Sequence, residues 1–176
     1  ELTSYEDPDW DITVLTTTDK LTGNISTNLA RQMGSSDEYS VQVTGNVLKE
    51  IGLQKISYRT DGDPSIVQLR NEVIKRRDQS TIPQIGARYS HQTMGMVESA
   101  QVRVGGQFKT MKEVFQRHYP KEKLDKKHRA TPWLCRSIGW TLSRFQSGRD
   151  GKEAYERLTG KKYSGEVCEF GEQVLY

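Results

Sequence analysis

The alternation of apolar and polar positions divides the chain into short elements. Residues Ile12 to Thr18 are β-branched apart from Leu15 and predict a strand. Asp19-Lys20-Leu21-Thr22-Gly23 reads as a turn, and Ile25 to Ala30 as the return strand of a hairpin. The S-x-x-E pattern at Ser35-Ser36-Asp37-Glu38 predicts a helix start. Tyr39, Val43, Val47 and Ile51 then recur every four residues, and Gly52 closes that helix. A strand-like run from Lys55 to Thr60 ends on Asp61. Asp63 as N-cap and Pro64 at the first helical position open a second helix, apolar at Ile66, Leu69, Val73 and Ile74 and reaching about Arg77. Pro83 to Tyr89 is a further strand candidate.

Val97, Gln101, Val104, Phe108, Met111 and Phe115 alternate steps of four and three, which predicts one long helix over about 92–118. Gly105-Gly106 inside it costs about 1 kcal/mol per residue relative to alanine, unless another backbone approaches closely there. Lys121 to Arg129 reads as a charged linker, and 133–145 as a helix apolar at Trp133, Leu134, Ile138, Trp140, Leu142 and Phe145. The spacing of Trp133 and Trp140 assigns both to one core-facing stripe. A short helix over 150–158 and a glycine-punctuated extended segment close the chain. The first ten residues, acidic and interrupted by Pro8, read as a loop. This order of elements describes an α/β fold, a mixed sheet with helices on both faces. In such sheets ligands sit beyond the carboxyl ends of strands, which is where Asp61 falls.

The length of 176 residues suits a single domain. A net charge of +3 is mild, but its distribution is uneven. Residues 1–11 carry Glu1, Glu6, Asp7, Asp9 and Asp11 with no lysine or arginine, whereas 101–130 hold nine Lys/Arg against three Asp/Glu. That basic stretch fits a polyanionic partner, or equally a solvated helix face. Cys135 and Cys168 lack metal-type spacing and read as reduced thiols of an intracellular protein. No apolar run approaches the length of a membrane span. Because the chain opens on Glu1 rather than Met, a fragment or processed product is expected.

Two acidic residues carry the candidate chemistry. Asp61 lies at a strand tip and Glu98 lies one turn inside the long helix, with 36 residues between them. Carboxylates are hard ligands for Mg²⁺ or Mn²⁺, and paired divalent ions drive in-line displacement at phosphate. Taken singly, an aspartate after a strand is ordinarily a turn residue and a helical glutamate ordinarily solvated. Asp63 reads as a cap rather than a ligand, and His91 as a loop end or helix cap. His118 and His128 are too far apart for a compact zinc pair.

With their flanks, these residues resemble the integrase catalytic core of retroviruses and LTR retrotransposons. Thr60-Asp61-Gly62-Asp63-Pro64 is similar to that family's second aspartate motif. Ser90-His91-Gln92-Thr93-Met94-Gly95-Met96-Val97-Glu98 is similar to the stretch leading to its glutamate. The segment 14–23 resembles the hairpin before the first core helix. Tyr155 to Lys162, with Phe170-Gly171 and Val174, resembles the copia-type segment after the core. The resemblance implies a ribonuclease H-like fold, in which 1–130 is a catalytic core lacking its first strand and 131–176 continues it. It implies Asp61 and Glu98 as catalytic and metal-binding residues with Mg²⁺ or Mn²⁺, the first carboxylate falling at or before Glu1. It further implies DNA 3′-end processing and strand transfer, with element ends and target DNA as partners. A homo-oligomer in a nuclear or intracellular setting follows from the same likeness. Family members often carry basic residues one and two turns after the glutamate. Val102 and Gly105 stand there, so DNA contact falls to Arg103, Lys109, Lys112 or the later basic run. A non-catalytic nucleic-acid-binding remnant, or a nuclease that cuts without joining, remains the alternative.

Overall fold

The computed structural model describes residues 2–7, 12–32, 34–86 and 91–173, and the side chains of 12–32, 34–86 and 95–173. Five strands form one sheet: β1 (Leu2–Asp7), β2 (Ile12–Thr18), β3 (Ile25–Ala30), β4 (Lys55–Thr60) and β5 (Ser80–Ile85). Their order is β3-β2-β1-β4-β5. β1, β2 and β3 pair antiparallel as a meander, while β4 runs parallel to both β1 and β5. The helices are α1 (Glu38–Ile51), α2 (Pro64–Lys75), α3 (His91–His118), α4 (Thr131–Phe145) and α5 (Ala154–Thr159).

The helices divide between the two faces, as the alternation along β2 requires. Ile12 and Val14 point into a core shared with Val104, Phe108 and Met111 of α3 and with Leu134, Ile138 and Leu142 of α4. Leu15 points the other way, to Val41 and Leu48 of α1, Ile66, Leu69 and Val73 of α2, and Tyr58 of β4. α4 lies on β3 at backbone distance. The Thr27 hydroxyl donates to the Cys135 carbonyl and accepts the Gly139 N–H at 2.8 Å. Ser143 Oγ donates to the Ile25 carbonyl and accepts the Ile25 N–H, both at 2.9 Å.

Several expectations need correction. Residues 2–7, read as a loop in a core lacking its first strand, form a strand at the centre of the sheet. Its acidic residues gather toward the hairpin end, and antiparallel pairing with β2 overrides the turn-like composition. In α1 the buried stripe is Ser40, Val41, Thr44, Val47 and Leu48, and Tyr39 is exposed. Small hydroxylated residues fill that close-packed face, so counting apolar residues alone misplaced it. Asp37, not Ser35, is the N-cap residue. β5 spans Ser80–Ile85 rather than Pro83–Tyr89, and 87–90 lie outside the described residues. In α4 the core stripe is Leu134, Cys135, Ile138 and Leu142. Trp133 is 65 % exposed. Trp140 stacks instead on Phe145, Tyr163 and Arg144. α2 begins with Asp63 and Pro64 as expected, the Asp63 carboxylate accepting the N–H groups of Ser65 and Ile66. α3 runs unbroken through Gly105-Gly106; the first glycine is buried and the second exposed.

Candidate active site

Asp61 follows the last residue of β4, and the strand tip beneath it is fixed from two sides. The Thr60 carbonyl accepts the Gly86 N–H at 2.8 Å. From α2, buried Arg70 donates through Nη1 to Thr60 Oγ1 at 3.3 Å and to the Gln84 carbonyl at 2.7 Å. Its remaining printed bonds go to Asn71 Oδ1. This guanidinium ties the ends of β4 and β5 together. The sequence gave no sign of it, because an arginine at that helix position reads as solvated.

The Asp61 carboxylate is half-buried and accepts the Asp63 N–H at 3.3 Å. Burial raises its pKa above the ordinary aspartate value; the Asp63 N–H opposes the shift and the Asp63 charge adds to it. A carboxylate destabilised as an anion gains from any cation brought beside it.

Glu98 lies on the exposed surface of α3, between buried Val97 and buried Ala100. α3 packs across β1 and β2, the strands next to β4. Met96 and Arg103 of α3 line a small cavity with Thr18, Ile25 and Leu142, on the flank toward β3 and α4. Glu98 is two residues past Met96, about 200° around the helix, and so takes the flank away from α4. Thr17 pairs with Leu2, and Leu2 with Thr60, so the Thr18 end of β2 and the Asp61 end of β4 share one end of the sheet. The two carboxylates thus belong to the same end of the molecule.

A third does not join them. Leu2 is opposite Thr60, so the β1 residue in step with Asp61 is Thr3. Glu6 and Asp7 come three and four residues further along β1, about 10–13 Å away at the rise of a strand. Among the described residues no group of three or more His, Cys, Asp or Glu is placed to hold a metal ion.

The expected DNA contacts are dispersed. Arg103 turns to α4, its Nη1 donating to Gln146 Oε1 at 2.9 Å and its Nε to the Ser99 carbonyl at 3.2 Å, and burial lowers its pKa. Lys109 is exposed and Lys112 half-buried. Val102 is 77 % exposed. His91 opens α3, with its side chain outside the described residues. His118 pairs with Glu169 at 2.9 Å, and His128 packs edge-on against Phe115. Both cysteines are free, and burial pushes the Cys135 thiol up to about 12. No helix among the described residues is long and apolar enough to cross a membrane.

No protein-family profile matches the sequence, and no curated protein matches it. Solved structures do match. A simian T-cell lymphotropic virus intasome, in complex with PP2A regulatory subunit B56 gamma, aligns with TM-score 0.62 and 14 % identity over 99 % of this chain. The chain spans 56 % of that neighbour's length. The HTLV-2 integrase catalytic core domain in complex with magnesium aligns with TM-score 0.54 and 17 % identity, over 90 % of this chain and 92 % of the other. The BIV integrase catalytic core domain aligns with TM-score 0.64 and 10 % identity, over 90 % and 91 %. The chain therefore has the ribonuclease H-like fold of integrase catalytic cores.

Proposed function

We propose that this chain is an integrase-type core acting on DNA, its chemistry being the trimming of 3′ ends and their joining to target DNA. The observation that carries the reading is the shared location of Asp61 and Glu98 at one end of a ribonuclease H-like sheet. Asp61 and Glu98 are the residues that would hold a divalent cation, Mg²⁺ or Mn²⁺. Two carboxylates suit one such ion and leave a pair of ions short of a ligand. A bound cation would supply charge stabilisation at phosphate. The protein's own part is positional: Arg70 fixes the strand tip, and the Asp63 N–H orients the Asp61 carboxylate. DNA would be gripped through Lys109, Lys112 and the basic run 121–129, Arg103 contributing only on release from Gln146. Homo-oligomeric assembly and a nuclear or intracellular setting belong to the same proposal, as does an origin in a copia-like element.

Thr3 in step with Asp61 favours a second reading, in which the chain retains DNA binding without catalysis. A strand-transfer assay with Mn²⁺, run on the chain and on Thr3→Asp, separates the two. The catalytic reading expects transfer that Asp61→Asn or Glu98→Gln abolishes and Thr3→Asp raises; transfer surviving either loss of a carboxylate refutes the site. The binding reading expects no transfer in any form. It also expects duplex affinity that falls linearly as the logarithm of salt rises. A flat salt response removes both readings.

A further inference from the structure

β4 is an interior strand by order, yet much of one edge is open among the described residues. The Thr60 carbonyl accepts from Gly86 on the β5 side, so by alternation Ile56 and Tyr58 also turn their backbone groups toward β5. Lys55, Ser57 and Arg59 turn theirs the opposite way. On that side the register gives β4 one partner, Leu2 opposite Thr60, and β1 runs on from there away from Lys55. Beside the open edge lies a groove of about 410 Å³, walled by 55–59 and by the turn at Asp19-Lys20-Leu21, with Leu48 and Ile51 as its floor.

The outer edge of the sheet differs. β5 residues 82, 84 and 86 face β4, so Pro83 places its missing N–H on the solvent side, a device that blocks strand addition. The β4 edge has no such guard, and its surroundings are sorted by face. Ile56 and Tyr58 lie on the face of the α1/α2 core. Lys55, Ser57 and Arg59 occupy the other face, and the groove sets Lys20, Lys55 and Arg59 against Asp19 alone.

We propose that this groove docks an extended peptide strand from a partner protein. It would run parallel to β4 and in line with β1, with aliphatic residues beside Ile56 and Tyr58 and acidic residues beside Lys55 and Ser57. Backbone pairing supplies the affinity and the alternating side chains supply the choice of partner. The ligand is recognised by backbone and charge, independently of the DNA chemistry proposed above.

The probe is the hexapeptide Ac-Glu-Val-Glu-Val-Glu-Val-NH₂, titrated into the isotope-labelled chain and followed by amide NMR. The Ser57 and Arg59 amide signals are expected to shift, and their hydrogen exchange to slow by about tenfold or more. Lys55→Glu, at an exposed residue, is expected to weaken this peptide by about fivefold and to admit Ac-Lys-Val-Lys-Val-Lys-Val-NH₂ in its place. Ser57→Pro removes a groove-facing N–H and is expected to abolish binding of either peptide. Should that variant fail to fold, the charge swap at Lys55 decides alone. The proposal is overturned if neither peptide moves the Ser57 and Arg59 signals, if Lys55→Glu leaves the preference unchanged, or if the shifts map to the outer edge of β5.

Discussion

Gly139→Ala tests the docking of α4 on the sheet at its tightest point. A Cβ built on Gly139 would lie 2.7 Å from the Thr27 nitrogen and from Thr27 Oγ1, and 2.8 Å from the Ile25 carbonyl oxygen. Two of these neighbours are backbone atoms of a paired strand and cannot swing aside. The helix must therefore retreat by some tenths of an ångström, at an overpacking cost of about 1–3 kcal/mol. That movement also strains the Gly139 N–H bond to Thr27, worth about 1 kcal/mol. Alanine returns about 1 kcal/mol through its better helix propensity. The net loss is about 1–3 kcal/mol, or about 2–12 °C in Tm for a chain of this size. Gly45 of α1 and Gly106 of α3 are the controls, because a Cβ at either meets nothing within 4 Å. The same substitution there should raise Tm by about 2–4 °C. Thermal melts by circular dichroism on the three variants decide the matter. If Gly139→Ala melts at or above the parent temperature, the close approach of α4 to β3 is wrong.

Ser143→Ala should lower stability by about 1–3 kcal/mol in the same melts, because it strips the buried Ile25 N–H of its partner. A change below about 0.5 kcal/mol would place that N–H in contact with water. Asp61→Asn is expected to raise Tm at neutral pH without divalent metal, since the folded state holds the Asp61 proton more tightly than the unfolded chain does. The contribution of Asp61 is fully favourable below its unfolded pKa and is lost as pH rises through the raised folded value. The gain from Asp61→Asn should therefore vanish in acid; a gain independent of pH would show that the carboxylate is not the cause.

The elements most legible in the sequence were those whose signals are local. β2, β3 and β4 carry their β-branched runs, and α2 carries its Asp63-Pro64 entry, so each could be bounded from neighbouring residues alone. β1 could not, because nothing in Leu2 to Asp7 predicts a strand until β2 and β4 lie beside it. The buried face of α1 was misplaced for a related reason: Ser40 and Thr44 are buried by close approach, which no hydropathy pattern records. At the candidate site, Asp61 and Glu98 stood out through spacing and flanks. Arg70 did not, since its role depends on two strand ends that come together only in the fold. Thr3 became meaningful only through strand register, which sequence alone leaves open.

The Thr27 hydroxyl carries a consequence for assembly. The groups it joins, the Cys135 carbonyl and the Gly139 N–H, are four residues apart, the pair an isolated α-helix would bond to each other. The middle turn of α4 is thus completed by an atom from a strand more than a hundred residues earlier. That turn cannot close in its native form until the hairpin is in place. The two ends of the chain consequently belong to one cooperative unit, and a piece cut away after Ala30 would be left with a helix interrupted at its centre.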